Sequence, residues 1–158
     1  MENVVNSLYG NRTRIRVCGL CWEGDKLLMI QHEMAPGRYF WAPPGGGVEF
    51  GQQLEDALLR EFHEETRLAI TVGQFRFIAE LIKPPLHALE VFFDVKTEGK
   101  NPETGTDPEM PAHAQIIKST GFMEWSEIQR LPAGEKHGLF TLCPTPESLR
   151  SLSGHHKI

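Results

Sequence analysis

The chain has 158 residues, 40% of them hydrophobic, which suits one folded domain with a proper core and excludes a disordered chain. A formal net charge of −5 argues against a groove built to neutralise a nucleic-acid polymer, while nucleotides stay open because a bound metal reverses the local sign. No stretch approaches the roughly 20 apolar residues of a membrane span, and the opening MENVVNSLYGN lacks the basic-then-apolar order of an export signal, so a cytoplasmic single domain over 1–158 is the expectation.

Arg14 to Trp22 (RIRVCGLCW) alternates and then runs apolar, as a strand does. Glu23-Gly24-Asp25 turns the chain, and Lys26 to His32 returns as a hairpin partner. The C-x-x-C within the first strand invites a zinc or redox reading. Residues three apart on a strand point to opposite faces, however, and no second pair completes a zinc site. Cys18, Cys21 and Cys143 therefore read as buried reduced thiols. Met34 to Arg38 reads as a polar loop and Tyr39 to Ala42 as a short strand leading into Pro43-Pro44-Gly45-Gly46-Gly47. A glycine turn lets bare backbone approach a ligand, which makes Gly46 a candidate substrate contact. Trp41 beside it either borders that site or belongs to the core.

From Gln52 to Thr66 there is no Gly or Pro and good helix formers dominate. At about 100° per residue, Glu61, Glu64 and Glu65 share a face with Leu54, Leu58, Phe62 and Leu68. A solvated acidic flank would place them opposite. Spacings of three and four bring the carboxylates together, a repulsion that burial makes severe. Hard divalent cations such as Mg2+ or Mn2+ remove it, and ions held this way can bind a diphosphate and generate hydroxide from water. A phosphate-binding P-loop is excluded because no Gly-Lys-Ser/Thr follows the glycines.

The segment Gly46 to Leu68 resembles the Nudix box, G-x5-E-x7-R-E-U-x-E-E-x-G-U with U aliphatic or aromatic. Gly46 takes the first position, Arg60-Glu61 the R-E pair, Phe62 the first U, Glu64-Glu65 the E-E pair and Leu68 the last U. Gln52 stands where the first Glu belongs and Arg67 where the Gly belongs. Half a turn from Glu61, Gln52 trims only a supporting contact. Arg67 loses the easy left-handed cap that Gly supplies, which suggests a slightly different turn and a cost of about 1 kcal/mol. Arg60, on the other face, reads as pairing with a structural acid and steadying the helix.

The resemblance implies a Nudix-type α/β/α sandwich with a mixed β-sheet, and hydrolysis of a nucleoside diphosphate linked to another moiety. Glu61, Glu64 and Glu65 are then the catalytic metal ligands, and Gly45 offers its carbonyl oxygen. Relatives often pair, so a homodimer is open. A fold-retaining binding module is the alternative. An isoprenoid diphosphate isomerase is a further one, disfavoured because no cysteine sits beside the box.

After the helix, Ile70 to Lys83 reads as one or two strands with a turn or bulge at Gly73, broken by Pro84-Pro85. His87 to Val95 alternates. Thr97 to Ala114 is the one long loop, rich in Gly, Pro and charge, and such loops are usually functional or mobile. Family members often supply a further acidic ligand here. Glu109 is the candidate, with Glu103, Asp107 and Glu90 as substitutes and an ordinary solvated acid as the plain reading of Glu109. Gln115 to Ser119 and Gly121 to Trp125 read as strand, Ser126 as the cap of a short helix to Leu131, and Thr145 as the cap of a last helix beginning with Pro146.

Overall fold

A computed structural model of the chain describes residues 2–158. Two long strands, β1 (Arg12–Glu23) and β2 (Lys26–Ala35), leave the Gly24 turn paired at Trp22↔Leu27 and Glu23↔Lys26, and then diverge. From there each strand builds its own wing. β1 runs parallel to β6 (Leu86–Thr97) from Arg12↔Leu86 to Cys21↔Val95. β5 (Ile70–Lys83) forms a hairpin with β6, and β8 (Gly154–Lys157) adds in parallel at the outer edge. In the second wing β2 lies between β3 (Arg38–Ala42) and β7 (Ile117–Glu124), antiparallel to both. The free edge of β1, where β2 has peeled away, is taken by β4 (Gly45–Gly47), with Cys18 opposite Gly45 and Val17 opposite Gly46. The mixed sheet is as expected.

Alternation along the strands supplies two apolar faces, and helices cover both. On one face α2 (Leu54–Thr66) sets Ala57, Leu58 and Phe62 against Val17, Cys21, Leu28 and Val95. On the other, α3 (Trp125–Arg130), α4 (Leu139–Leu142) and α5 (Pro146–Arg150) bring Trp125, Ile128, Leu139, Phe140 and Leu149 onto Cys18, Leu20, Met29, Phe77 and Phe92. The result is the α/β/α arrangement. Cys18 and Cys21 fall in opposite clusters, and all three cysteines are free and buried, as their spacing predicts. No helix among the described residues is long and apolar enough to cross a membrane.

Several local expectations change. An N-terminal helix, α1 (Glu2–Tyr9), has no counterpart in the sequence reading, and neither do α4 and β8. The glycine segment is a strand rather than a turn, because the unpaired edge of β1 offers its backbone groups partners. The expected loop Met34–Arg38 shrinks to a tight turn at Pro36-Gly37, since β2 and β3 extend into it and Gly37 takes a φ of 74°. β5 is one strand, irregular between Val72 and Phe77, and β7 is unbroken where two strands were expected. The cap of α3 is Glu124, in a reciprocal pair with Glu127, rather than Ser126.

Candidate active site

The site grows from the contact between α2 and β4. Gly46 faces the helix, and a Cβ there would collide with the Glu61 carboxylate, so only glycine lets the helix lie this close. Glu61 is 8% and Glu65 4% exposed, on the apolar side of α2 as their spacing required. Glu65 Oε1 accepts the Gly45 N–H at 2.8 Å. Burial pushes the Glu61 carboxyl up to about 7, with Glu64 adding repulsion and Arg60 and Arg16 opposing. Burial and then the Glu61 charge push Glu65 well above the usual carboxylate range.

Arg60 departs from its expected place. Its guanidinium folds back across the helix, donating from Nη1 to Glu61 Oε1 at 2.9 Å and to Glu64 Oε2 at 3.2 Å. Nη2 donates to the Gly47 carbonyl at 2.9 Å and to Gln52 Oε1 at 3.2 Å. The long, flexible side chain allows this where the position of its Cα on the helix does not. Gln52 thus retains the acceptor of the missing Glu and lacks only its charge. With Arg60 between Glu61 and Glu64, no three acidic, histidine or cysteine side chains among the described residues form a closed metal cage. The donor set is still that of a hard cation: three carboxylates, two of them buried with raised pKa, beside the Gly45 carbonyl, whose recorded side-chain contact is Arg16 Nη2 at 3.4 Å.

The end of α2 is closed from a distance. Arg67 itself adopts the left-handed conformation, φ 59° and ψ 14°, and donates its N–H to the His63 carbonyl at 3.0 Å. The turn is therefore the ordinary one with a strained occupant, correcting the expected change of turn. The N–H groups of Glu103, Gly105 and Thr106 then reach the carbonyls of Thr66, Glu65 and Glu64 at 2.8, 2.8 and 3.0 Å. A Cβ on Gly105 would strike the Glu64 carbonyl, so this docking needs glycine. The long loop is thereby fastened to the end of α2.

That docking sorts the loop acids. Glu109 is turned away to accept the Tyr9 hydroxyl at 2.6 Å. Asp107 is half-buried, its N–H and carbonyl both held by the Gln115 amide at 2.7 Å. Burial raises its carboxyl, and its charge in turn bears on Glu65. Trp41 packs against the cluster on the face that α2 does not enter, and its carbonyl accepts the His137 N–H at 2.9 Å.

Several neighbours of the site carry no motif, and of these Arg16, His32 and His137 escaped the sequence reading. His32 accepts no proton near neutrality, because burial and then Arg16 lower its pKa to about 4. Its Nδ1 faces the Phe40 carbonyl at 3.3 Å and must be the protonated nitrogen, leaving Nε2 bare at 3.9 Å from Glu65 Oε2. Glu90 is buried between His137 Nε2 at 2.7 Å and Arg16 Nε at 3.5 Å. Burial alone would raise its carboxyl, but His137 and Arg16 outweigh that and hold it near 2. Cys18 pairs with Gly45, against the expectation that no cysteine lies beside the box. Its Sγ donates to Glu90 Oε2 at 3.6 Å and burial pushes the thiol well up, which leaves it a poor nucleophile. The alternate spacing of Arg12, Arg14 and Arg16 was the one signal for this region, while His137 offered none.

A family model described as the NUDIX domain matches residues 11–141. An ADP-ribose pyrophosphatase from Methanocaldococcus jannaschii is 30% identical over 126 residues, covering 70% of this chain and 73% of that protein. YvcI of Bacillus subtilis, a Nudix hydrolase of uncharacterised activity, is 36% identical over 58 residues, and the match spans 37% of this chain and 35% of the relative's length. Among solved structures, a NUDIX hydrolase from Nitrosomonas europaea superposes with a TM-score of 0.72 at 18% identity, over 89% of this chain and 90% of the other, a likeness of fold.

Proposed function

The chain belongs to the Nudix hydrolase family, and from that premise we propose that it is a pyrophosphohydrolase dependent on Mg2+ or Mn2+, cleaving a phosphoanhydride bond in a nucleoside diphosphate linked to another moiety. One observation carries the reading: Glu61 and Glu65 are buried on α2 against glycine backbone, where burial raises both carboxyls and added positive charge would favour their ionised form.

Glu61, Glu64, Glu65 and the Gly45 carbonyl would hold the metal, which when bound neutralises the diphosphate and acidifies a water. The Gly45 N–H fixes one oxygen of Glu65 and leaves the other free. Arg60 ties Glu61 and Glu64 to the Gly47 carbonyl, so helix and glycine strand keep their relative position. The loop's contribution falls to Asp107, since Glu109 is engaged by Tyr9. The bare backbone at Gly46 and Gly47 lets a phosphate lie against the strand.

ADP-ribose, the substrate named for the 30%-identical relative, heads the panel to be tested, followed by nucleoside diphosphate sugars and dinucleoside diphosphates. With either metal present, at least one should release nucleoside monophosphate with kcat/KM above about 10^4 M−1 s−1. Failure of every member of the panel with both metals removes the proposal.

A further inference from the structure

Arg12, Arg14 and Arg16 occupy alternate positions of β1 and share one face of the sheet, the face that continues into Cys18 and Leu20. At Arg16 that face meets Gly47 of β4 on one side and Glu90 of β6 on the other. Side by side and half-buried, Arg14 and Arg16 repel one another: burial first and then the Arg16 charge lower the pKa of Arg14. Burial works against the Arg16 charge, but Glu90, Glu65 and Glu61 outweigh it and hold its pKa above the ordinary value, so Arg14 is the less compensated of the two.

The protein supplies only part of the matching negative charge. Glu90 faces Arg16 Nε at 3.5 Å, too long for a hydrogen bond, and that Nε is buried without one. Glu90 is itself anchored by His137. The Leu139 N–H occupies His137 Nδ1 at 3.2 Å, so the ring's proton sits on Nε2 and points at Glu90 at 2.7 Å. Arg14 enters no ion pair or hydrogen bond among the described residues; its guanidinium lies 3.8 Å over the Tyr9 ring, beside Gly47. Glu109, the nearest acid to bear on it, is committed to the Tyr9 hydroxyl. The positive charge of Arg14 and the unbonded Nε of Arg16 therefore border Gly45–Gly47, the strand whose other side carries Glu61.

We propose that Arg14 and Arg16 form an anion clamp, binding the phosphate of the substrate's diphosphate that the acid side leaves uncovered, and that Glu90 and His137 position Arg16 for it. A guanidinium presents parallel N–H donors that match two phosphate oxygens, which a lysine cannot do. The clamp rests on the pyrophosphohydrolase reading, and it explains how one narrow glycine strand serves both halves of a diphosphate.

The test is calorimetric binding of inorganic pyrophosphate in metal-free buffer, alongside steady-state kinetics. Wild type should bind pyrophosphate, and Arg14→Gln should weaken that binding at least tenfold while Arg14→Lys retains part of it. KM should rise by a similar factor with kcat changed far less, and Mn2+ affinity should stay within twofold. For the positioning pair, His137→Gln, which keeps an N–H donor, should hold pyrophosphate more tightly than His137→Ala at equal folded fraction by circular dichroism. Pyrophosphate affinity and KM within twofold of wild type in Arg14→Gln and Arg16→Gln would overturn the clamp. Binding is read without turnover, so a protein that hydrolyses nothing yet loses pyrophosphate with Arg14 keeps the clamp and loses only the hydrolase reading.

Discussion

Glu65 and Glu90 are buried almost equally, at 4% and 5% exposure, yet their carboxyls are driven in opposite directions. Glu90 has a histidine N–H on one oxygen and a guanidinium facing the other, and it is held near 2. Glu65 has a single backbone N–H, an uncharged histidine at 3.9 Å and no guanidinium in contact, so burial and the Glu61 charge outweigh the Gly45 N–H and the more distant Arg16, and it is raised. Depth alone does not decide what a buried acid is for; the supply of positive charge does. Where the fold supplies it the acid is a strut, and where the fold withholds it the acid awaits a ligand.

The comparison breaks most visibly at the strut. Glu90→Ala leaves a buried guanidinium and a buried imidazole without their anion and should destabilise the fold by about 3–5 kcal/mol, read from denaturant unfolding. Glu65→Gln should do the reverse, lowering kcat by about 100-fold or more and weakening Mn2+ binding. Its thermal midpoint in metal-free buffer should be unchanged or higher. Near wild-type turnover in Glu65→Gln would end the assignment of ligands.

Acidity separates the two residues in a single titration. The Glu90 carboxyl lies below its ordinary 4.5, so its stabilisation is complete above that pH and is lost as pH falls toward 2. Glu61, raised to about 7, behaves oppositely: the stability it allows is present below 4.5 and is lost as pH rises through 7, and Glu65, raised well above its ordinary value, acts in the same direction. In chelator the melting temperature should fall on both flanks. Saturating Mg2+ should restore the upper flank and leave the lower one alone. A mild control lies at the end of the same helix, where Arg67→Gly should relieve about 1 kcal/mol of left-handed strain. The melting temperature should rise by about 2–4 °C with metal affinity untouched.

Much of the acid side was legible because helical spacing is local. Eight residues from Leu58 to Glu65 decide which carboxylates share a face, and Cys18 and Cys21 part company by the same local arithmetic. The basic side was not, because its partners are far apart in the chain: Glu90 and His137 are 47 residues from each other, and no periodicity links them. Arg60 misled for a different reason. The helical wheel places its Cα, whereas the rotatable bonds of a long side chain place its charge. Tyr9 and the loop acids depend on where α1 and residues 97–114 settle, and backbone contacts at long range decide that.

The three hydrogen bonds that the backbone N–H groups of Glu103, Gly105 and Thr106 donate to the last turn of α2 also divide the long loop into two kinds of chain. Before residue 103 its length is slack, and extra residues there would bulge outward without moving anything downstream. Between 103 and 107 the backbone is a gauge: one inserted residue would swing Asp107 away from Glu65 while the fold itself stood. An insertion ahead of that point would leave the acid beside Glu65 in place, and one beyond it would move that acid alone.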